Sequence, residues 1–269
     1  MNANNKNKFD VKFGPTWRLV SSFEETLNDN WEIESVVIKN IALQSARISP
    51  KTALHKVLYQ IAYKEFYLNS YDDLDWVVDE DEAVELFEYW APYMGIKLPH
   101  HYKTLDGLRG FITREKFKRG LNFLVDNSFA ILWNQKKILF EFNKRLAEEI
   151  AICKQKDYPK IFQSDGYLNR VAFPLWLKKQ ILYRDRGYCQ HCGNQVESVD
   201  LVDGAFELDH MVPLKQGGTN DPTNLILSCK HCNTSKGDDL LPIKDIFAWP
   251  ERSECCVLSY PHWPRLQTL

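Results

Sequence analysis

The chain has 269 residues, a formal net charge of −2 and a pI near 6.4, with 44% apolar and 13% aromatic residues. That composition supports a buried core and argues against long disorder. It excludes a protein that coats nucleic acid through overall positive charge, because phosphate neutralisation drives such binding. No run of about 18 apolar residues is present, so no membrane span or membrane partner is expected. The leader MNANNKNKFD is polar and lacks the apolar stretch of a signal peptide, which makes a reducing cytoplasm the expected compartment.

In chain order, the segment from about Trp31 to Ile152 carries mostly helical periodicity. Over Ser49–Leu68, Ser49 can cap, Pro50 suits a first turn, and Leu54, Val57, Leu58, Ile61, Ala62 and Phe66 form one apolar stripe. A second helix is predicted over Glu82–Met94, with Leu86, Phe87, Trp90 and Met94 inward and Pro92 as kink or terminator. Leu105–Ile152 reads as two or three helices.

Charge is uneven here. No Lys or Arg occurs between Lys64 and Lys97, while Asp72, Asp73, Asp75, Asp79, Glu80, Asp81, Glu82, Glu85 and Glu88 are acidic. This is either a solvated face, or a docking site for a basic partner or a nucleic-acid mimic; the helical domain as a whole is the expected place for a protein partner or homo-oligomer contact. Arg109, Arg114, Lys116, Lys118 and Arg119, interleaved with Phe111 and Phe117, form a basic stretch that is either a solvated amphipathic helix or a phosphate contact.

Residues 153–170 contain Pro159, Ser164, Asp165 and Gly166 without a clear period, and a domain boundary is placed there. Three parts are expected: a helical regulatory or targeting domain over 1–165, a small metal-stapled domain over 166–240, and a tail over 241–269 packing on the body through Phe247, Trp249, Tyr260 and Trp263. Cys255 and Cys256 in the tail read as free thiols. The fold class is therefore α+β, a mainly α-helical N-terminal domain followed by a small zinc-stapled domain.

The staple is read from two C-x-x-C pairs, Cys189/Cys192 and Cys229/Cys232. Each makes a tight knuckle that aims two thiolates at one point, and two knuckles complete a closed, structural Zn2+ site. Gly193 follows the first pair, where a left-handed turn needs a residue without Cβ. His191 and His231 lie inside the knuckles and are expected to point away from the zinc.

Between and through the knuckles runs ELDHMVPLKQGGTNDPTNLILSCKHCNTSKGD. Asp209-His210, the P-L-x-x-G-G-T-N loop, Asn224-Leu225 and the C-x-x-C-N-x-x-K-G ending resemble the HNH endonucleases, over about a quarter of the chain; the first 165 residues resemble no named family. The residues themselves suit a strand ending at Asp209-His210, a loop through Pro213, Gly217 and Gly218, a second strand over Asn224–Leu227, and a helix beginning at Cys232. The resemblance implies a ββα-metal fold and metal-dependent hydrolysis of phosphodiester bonds in DNA, double-stranded by expectation, in a restriction or anti-phage defence setting.

His210 is the expected general base, since imidazole titrates near neutrality. Asp209 and Asn233 are the expected ligands of a hard catalytic cation, Mg2+ or Mn2+, and Asn224 is expected to brace the loop that orients the base. Lys230, Lys236, Lys178 and Lys179 are candidate nucleic-acid contacts. From Gly166 to Leu240 there are 8 basic and 9 acidic residues, so this module alone should bind duplex weakly. Two alternatives stand beside this reading: a non-catalytic zinc module that binds nucleic acid or protein, and a nuclease subunit that a partner activates.

Overall fold

The computed structural model describes residues 10–28, 35–68, 80–97, 104–196, 206–241 and 243. Asp72, Asp73, Asp75, Asp79, the tail aromatics and Cys255 and Cys256 lie outside them. Among the described residues no helix is long and apolar enough to cross a membrane.

The described residues are mostly helical, with two small two-stranded antiparallel sheets among them. The helices are α1 (Asp10–Asn28), α2 (Ser35–Gln44), α3 (Ala53–Leu68), α4 (Glu80–Trp90), α5 (Leu105–Ile112), α6 (Glu115–Leu132) and α7 (Lys136–Ala151). Strands β1 (Phe162–Ser164) and β2 (Tyr167–Leu168) form a hairpin, and α8 (Leu175–Arg184) follows. Then β3 (Glu207–His210) pairs with β4 (Leu225–Ser228), leading into α9 (Lys230–Lys236).

Local chemistry explains the boundaries. The α4 helix stops at Trp90, and Pro92 sits in a single 3-10 turn closed by Gly95 at φ 62°. The α3 helix begins at Ala53 rather than at Ser49. Thr52 and His55 cap each other there, with the Thr52 N–H donating to His55 Nδ1 (3.2 Å) and the His55 N–H to Thr52 Oγ1 (3.4 Å). Leu105–Ile152 resolves into three helices.

One apolar cluster runs through the helices and continues into Met211, Val212, Leu214 and Ile226 of the β3–β4 region. Its aromatic centre is Phe66, which meets Phe87, Trp90 and Phe117 edge-on at 4.7, 5.1 and 5.1 Å. A second, smaller cluster joins Leu177 and Ile181 of α8 to Leu208, Leu225, Leu227, Phe206 and Cys189. A buried ion pair ties the two together. Arg184 donates to both Asp185 carboxylate oxygens (2.8 and 3.0 Å) and to the Leu225 carbonyl (2.6 Å), Asp185 accepts the Leu227 N–H (2.8 Å), and the guanidinium lies 4.5 Å from the Trp133 ring.

The β3–β4 loop docks on the helical body through a second buried acid. Asp221 accepts the Ala53 N–H that begins α3 (2.7 Å) and the Thr223 N–H and hydroxyl (3.0 and 2.7 Å), and burial pushes its carboxyl above the usual range. Asp221→Ala should lower the unfolding free energy by about 1–3 kcal/mol, read from denaturant melts, because it strands these donors. Burial, and then Lys51, hold the His55 imidazole down to about 4, against an opposing pull from Asp126. Its folded value lies below its unfolded one. The neutral form therefore contributes stability above pH 6.5 that is lost as pH falls from 6.5 towards 4, on the order of 3 kcal/mol in all. His55→Gln should flatten that part of the pH dependence in the same melts.

Candidate active site and structural metal centre

The two knuckles converge as their spacing implies. The sulfurs of Cys189, Cys192, Cys229 and Cys232 all lie within 4.8 Å of one another. Gly193 adopts φ 75° and its N–H returns to the Cys189 carbonyl (2.9 Å), closing the first knuckle. Cys229 caps α9, its sulfur accepting the Cys232 N–H (3.4 Å). Burial pushes the Cys189 thiol up, but the N–H groups of Cys192, Cys229 and His191 outweigh it and bring the group to about 6. Burial and the neighbouring cysteines push Cys232 the other way. Four crowded sulfurs that cannot all ionise by themselves fit a soft divalent cation, and the donor set fits Zn2+.

Strands β3 and β4 pair in register, Asp209 opposite Ile226 and His210 opposite Leu225. Successive strand residues point to opposite faces, so Asp209 and His210 meet different neighbours. Asp209 is 6% exposed. One oxygen meets His191 Nε2 (2.8 Å) and the other accepts from Lys236 Nζ (3.1 Å), which also donates to the His210 carbonyl (2.9 Å). Glu207, two residues back on the same strand face, accepts from the Asn233 amide. Glu207 and Asp209 on β3 thus face Asn233 and Lys236, three apart on α9.

His210 is 2% exposed. Its Nε2 lies 3.3 Å from Asn220 Oδ1, and its ring centroid lies 5.7 Å from that of Phe173. The tautomer follows from the network. Asn220 Nδ2 donates to the carbonyls of Ala46 (3.0 Å) and Asn169 (2.9 Å), so its Oδ1 is the end that faces His210 and must accept. His210 therefore carries its hydrogen on Nε2 and keeps the Nδ1 lone pair for a proton. Burial, then the charge of Arg170, holds the imidazole down to about 4, so it is neutral at pH 7.

Asn224 is buried, and its side chain ties the β3–β4 loop together. Its Oδ1 accepts the Val212 N–H (2.9 Å), and its Nδ2 donates to the carbonyls of Val212 and Thr219 (both 2.9 Å). The adjacent glycines answer a steric demand: a Cβ on Gly218 would sit 1.9 Å from the Val212 carbonyl oxygen, and one on Gly217, at φ 81°, 2.5 Å from that of Ala147 in α7.

Residues 189–239 match the family model of the HNH endonucleases. No curated protein and no solved structure matches the chain. The HNH segment thus holds the four-cysteine cluster, Asp209, His210, Asn224 and Asn233. Of the expected site residues, the structure places Asp209 and Lys236 in contact, sets Asn233 on Glu207, and turns the His210 ring to the opposite strand face. Lys236, expected on the surface as a phosphate contact, is instead 4% exposed with its ammonium against Asp209. Lys230 and Lys179 are exposed, and Lys178 lies 6.0 Å from the Phe206 ring. Four neighbours of the site were not singled out in the sequence for these positions: Asn220, His191, Glu207 and Arg170. The Glu207–Asp209 and Asn233–Lys236 spacings carry a readable signal, since each pair shares one face of its element. Asn220 carries none, since its contacts come from far along the chain.

Displacing the metal should expose the link between the centre and the site. The native protein should carry about one zinc per chain by metal analysis, and Cys229→Ser should lose it and melt at lower temperature. A cooperative, unchanged melt in a zinc-free sample would refute the structural role.

Proposed function

We propose that the chain is a metal-dependent endonuclease that hydrolyses phosphodiester bonds in DNA, double-stranded in the first instance, in a restriction or anti-phage defence role. Residues 1–165 would regulate or target, 166–240 cut, and 241–269 pack as a tail. The observation that carries this is His210: a neutral imidazole of fixed tautomer, next to Asp209 along β3 and on the opposite strand face, inside a segment matched to a nuclease family.

His210 Nδ1 takes the proton from the attacking water, while Asn220 Oδ1 holds the Nε2 hydrogen and keeps the ring from turning. Asn224 fixes the loop that carries Asn220. Burial is the larger cause of the depressed imidazole and the charge of Arg170 the second; a phosphate arriving near Arg170 offsets that second part. Asp209, Asn233 and the adjacent Glu207 present only oxygen donors once Asn233 offers its amide oxygen, a hard set suited to Mg2+ or Mn2+. When bound, such a cation supplies positive charge to the phosphoryl and leaving oxygens. Lys236 places a fixed cation on the same carboxylate. The burial of both Asp209 and His210 favours a version of this reading in which a partner or the substrate itself opens the site.

Purified protein with Mg2+ or Mn2+ should nick or linearise plasmid DNA. His210→Ala should slow cutting by about 10²–10⁴-fold with zinc content unchanged and the protein still folded at the assay temperature. Plasmid, linear and single-stranded DNA all left intact with either metal would sink the reading.

A further inference from the structure

The HNH segment is the wrong charge for its proposed substrate. Residues 189–239 contain three lysines and eight carboxylates, a net of −5. A phosphodiester strand held by this segment alone would be repelled. The compensating charge lies outside it, in two stretches from which acids are absent. Residues 35–64 contain five Lys or Arg and no Asp or Glu, and residues 166–184 contain four and none.

The fold brings these stretches together at the site. One nitrogen, Asn220 Nδ2, donates to both the Ala46 and the Asn169 carbonyls, which fixes those residues side by side against His210. Arg47 and Arg170 are the next residues on each strand of chain. Both are exposed, and neither guanidinium makes a hydrogen bond or ion pair among the described residues. Beyond them, Arg47, Ile48 and Pro50 face Val171, Pro174 and Trp176 across an open groove. Trp176 is 40% exposed, and Lys179 lies one helical turn further on α8, also exposed. Other cations nearby are engaged: Lys51 pairs with Asp126 (2.5 Å), and Arg184 is buried on Asp185.

We propose that this groove, shared by the α2–α3 turn and the segment leading into α8, is the track that holds a DNA strand. Arg47 and Arg170 bind successive phosphates beside His210, and Trp176 offers a face for a base. The helical body is then part of the substrate site. The inference rests on the nuclease reading for its substrate, and its test separates the two.

Binding is measured by fluorescence anisotropy on a labelled duplex and its single strand, with Ca2+ in place of Mg2+, across a salt series. Plasmid cutting is followed in parallel with Mg2+. The charge reversal R47E/R170E should weaken binding at least tenfold on at least one form of DNA. Its plot of log affinity against log salt should be shallower by about two, one per lost phosphate contact. R47Q/R170Q guards against misfolding caused by reversed charge and should show the same shallower slope, while R47K/R170K should retain binding. Arg119→Glu, on the other basic stretch, should bind as the unaltered protein does. If the unaltered protein binds and cuts while R47Q/R170Q keeps its affinity and slope, or Arg119→Glu matches its loss, the groove is overturned and the nuclease reading stands. If the unaltered protein neither binds nor cuts, both fall.

Discussion

The arrangement depends on one constraint: Thr219, Asn220, Asp221, Thr223 and Asn224 form a polar loop that is almost fully buried. A buried polar group without a partner costs about 1–3 kcal/mol, so each of these side chains must be answered. The helical body answers most of them. The Ser45 carbonyl accepts the Asn220 N–H, the Ala46 carbonyl accepts its amide, the start of α3 donates to Asp221, and Asn143 of α7 donates to Thr223. The loop that presents Asn220 to His210 is therefore shaped by α2, α3 and α7 as much as by its own strands. The apolar cluster that passes from the helices into Met211, Val212 and Ile226 makes the same point in packing terms.

The four-cysteine cluster bears on the site from the other side. His191 belongs to the first knuckle, between two of the clustered cysteines, yet its ring reaches Asp209. Lys236 ends the helix that Cys229 begins, and its ammonium reaches the same carboxylate. Asp209 is held by residues whose positions the sulfur cluster sets, and His210 by residues whose positions the helices set. Two adjacent residues on one strand answer to opposite halves of the molecule, which follows from the alternation of side chains along β3.

Much of this was legible in the residues because it rests on short spacings. The C-x-x-C pairs, Gly193, the Asp209-His210 step and the bracing Asn224 each act within a few residues of their partners, and local geometry is what spacing encodes. The helix stripe around Leu54, Val57 and Leu58 was legible for the same reason, while its start was misplaced at Ser49. The cap that begins α3 uses Asp221, 168 residues downstream, and no local pattern announces it. Asn220 is hidden in the same way. His191 was read as a residue inside a knuckle; its contact with Asp209 depends on the β3 register. Lys236 looked like a surface lysine because its burial is created by Glu207 and Asp209 crossing the helix, a tertiary fact.

The bond from Asn220 to Ala46 joins residues 174 positions apart. Closing a loop of that size carries an entropic cost that must be met before the contact returns anything, so such contacts form late in folding. The helices are synthesised first and can collect most of their own core beforehand. His210 therefore acquires its Asn220 partner only after the body and the four-cysteine module have each formed and met.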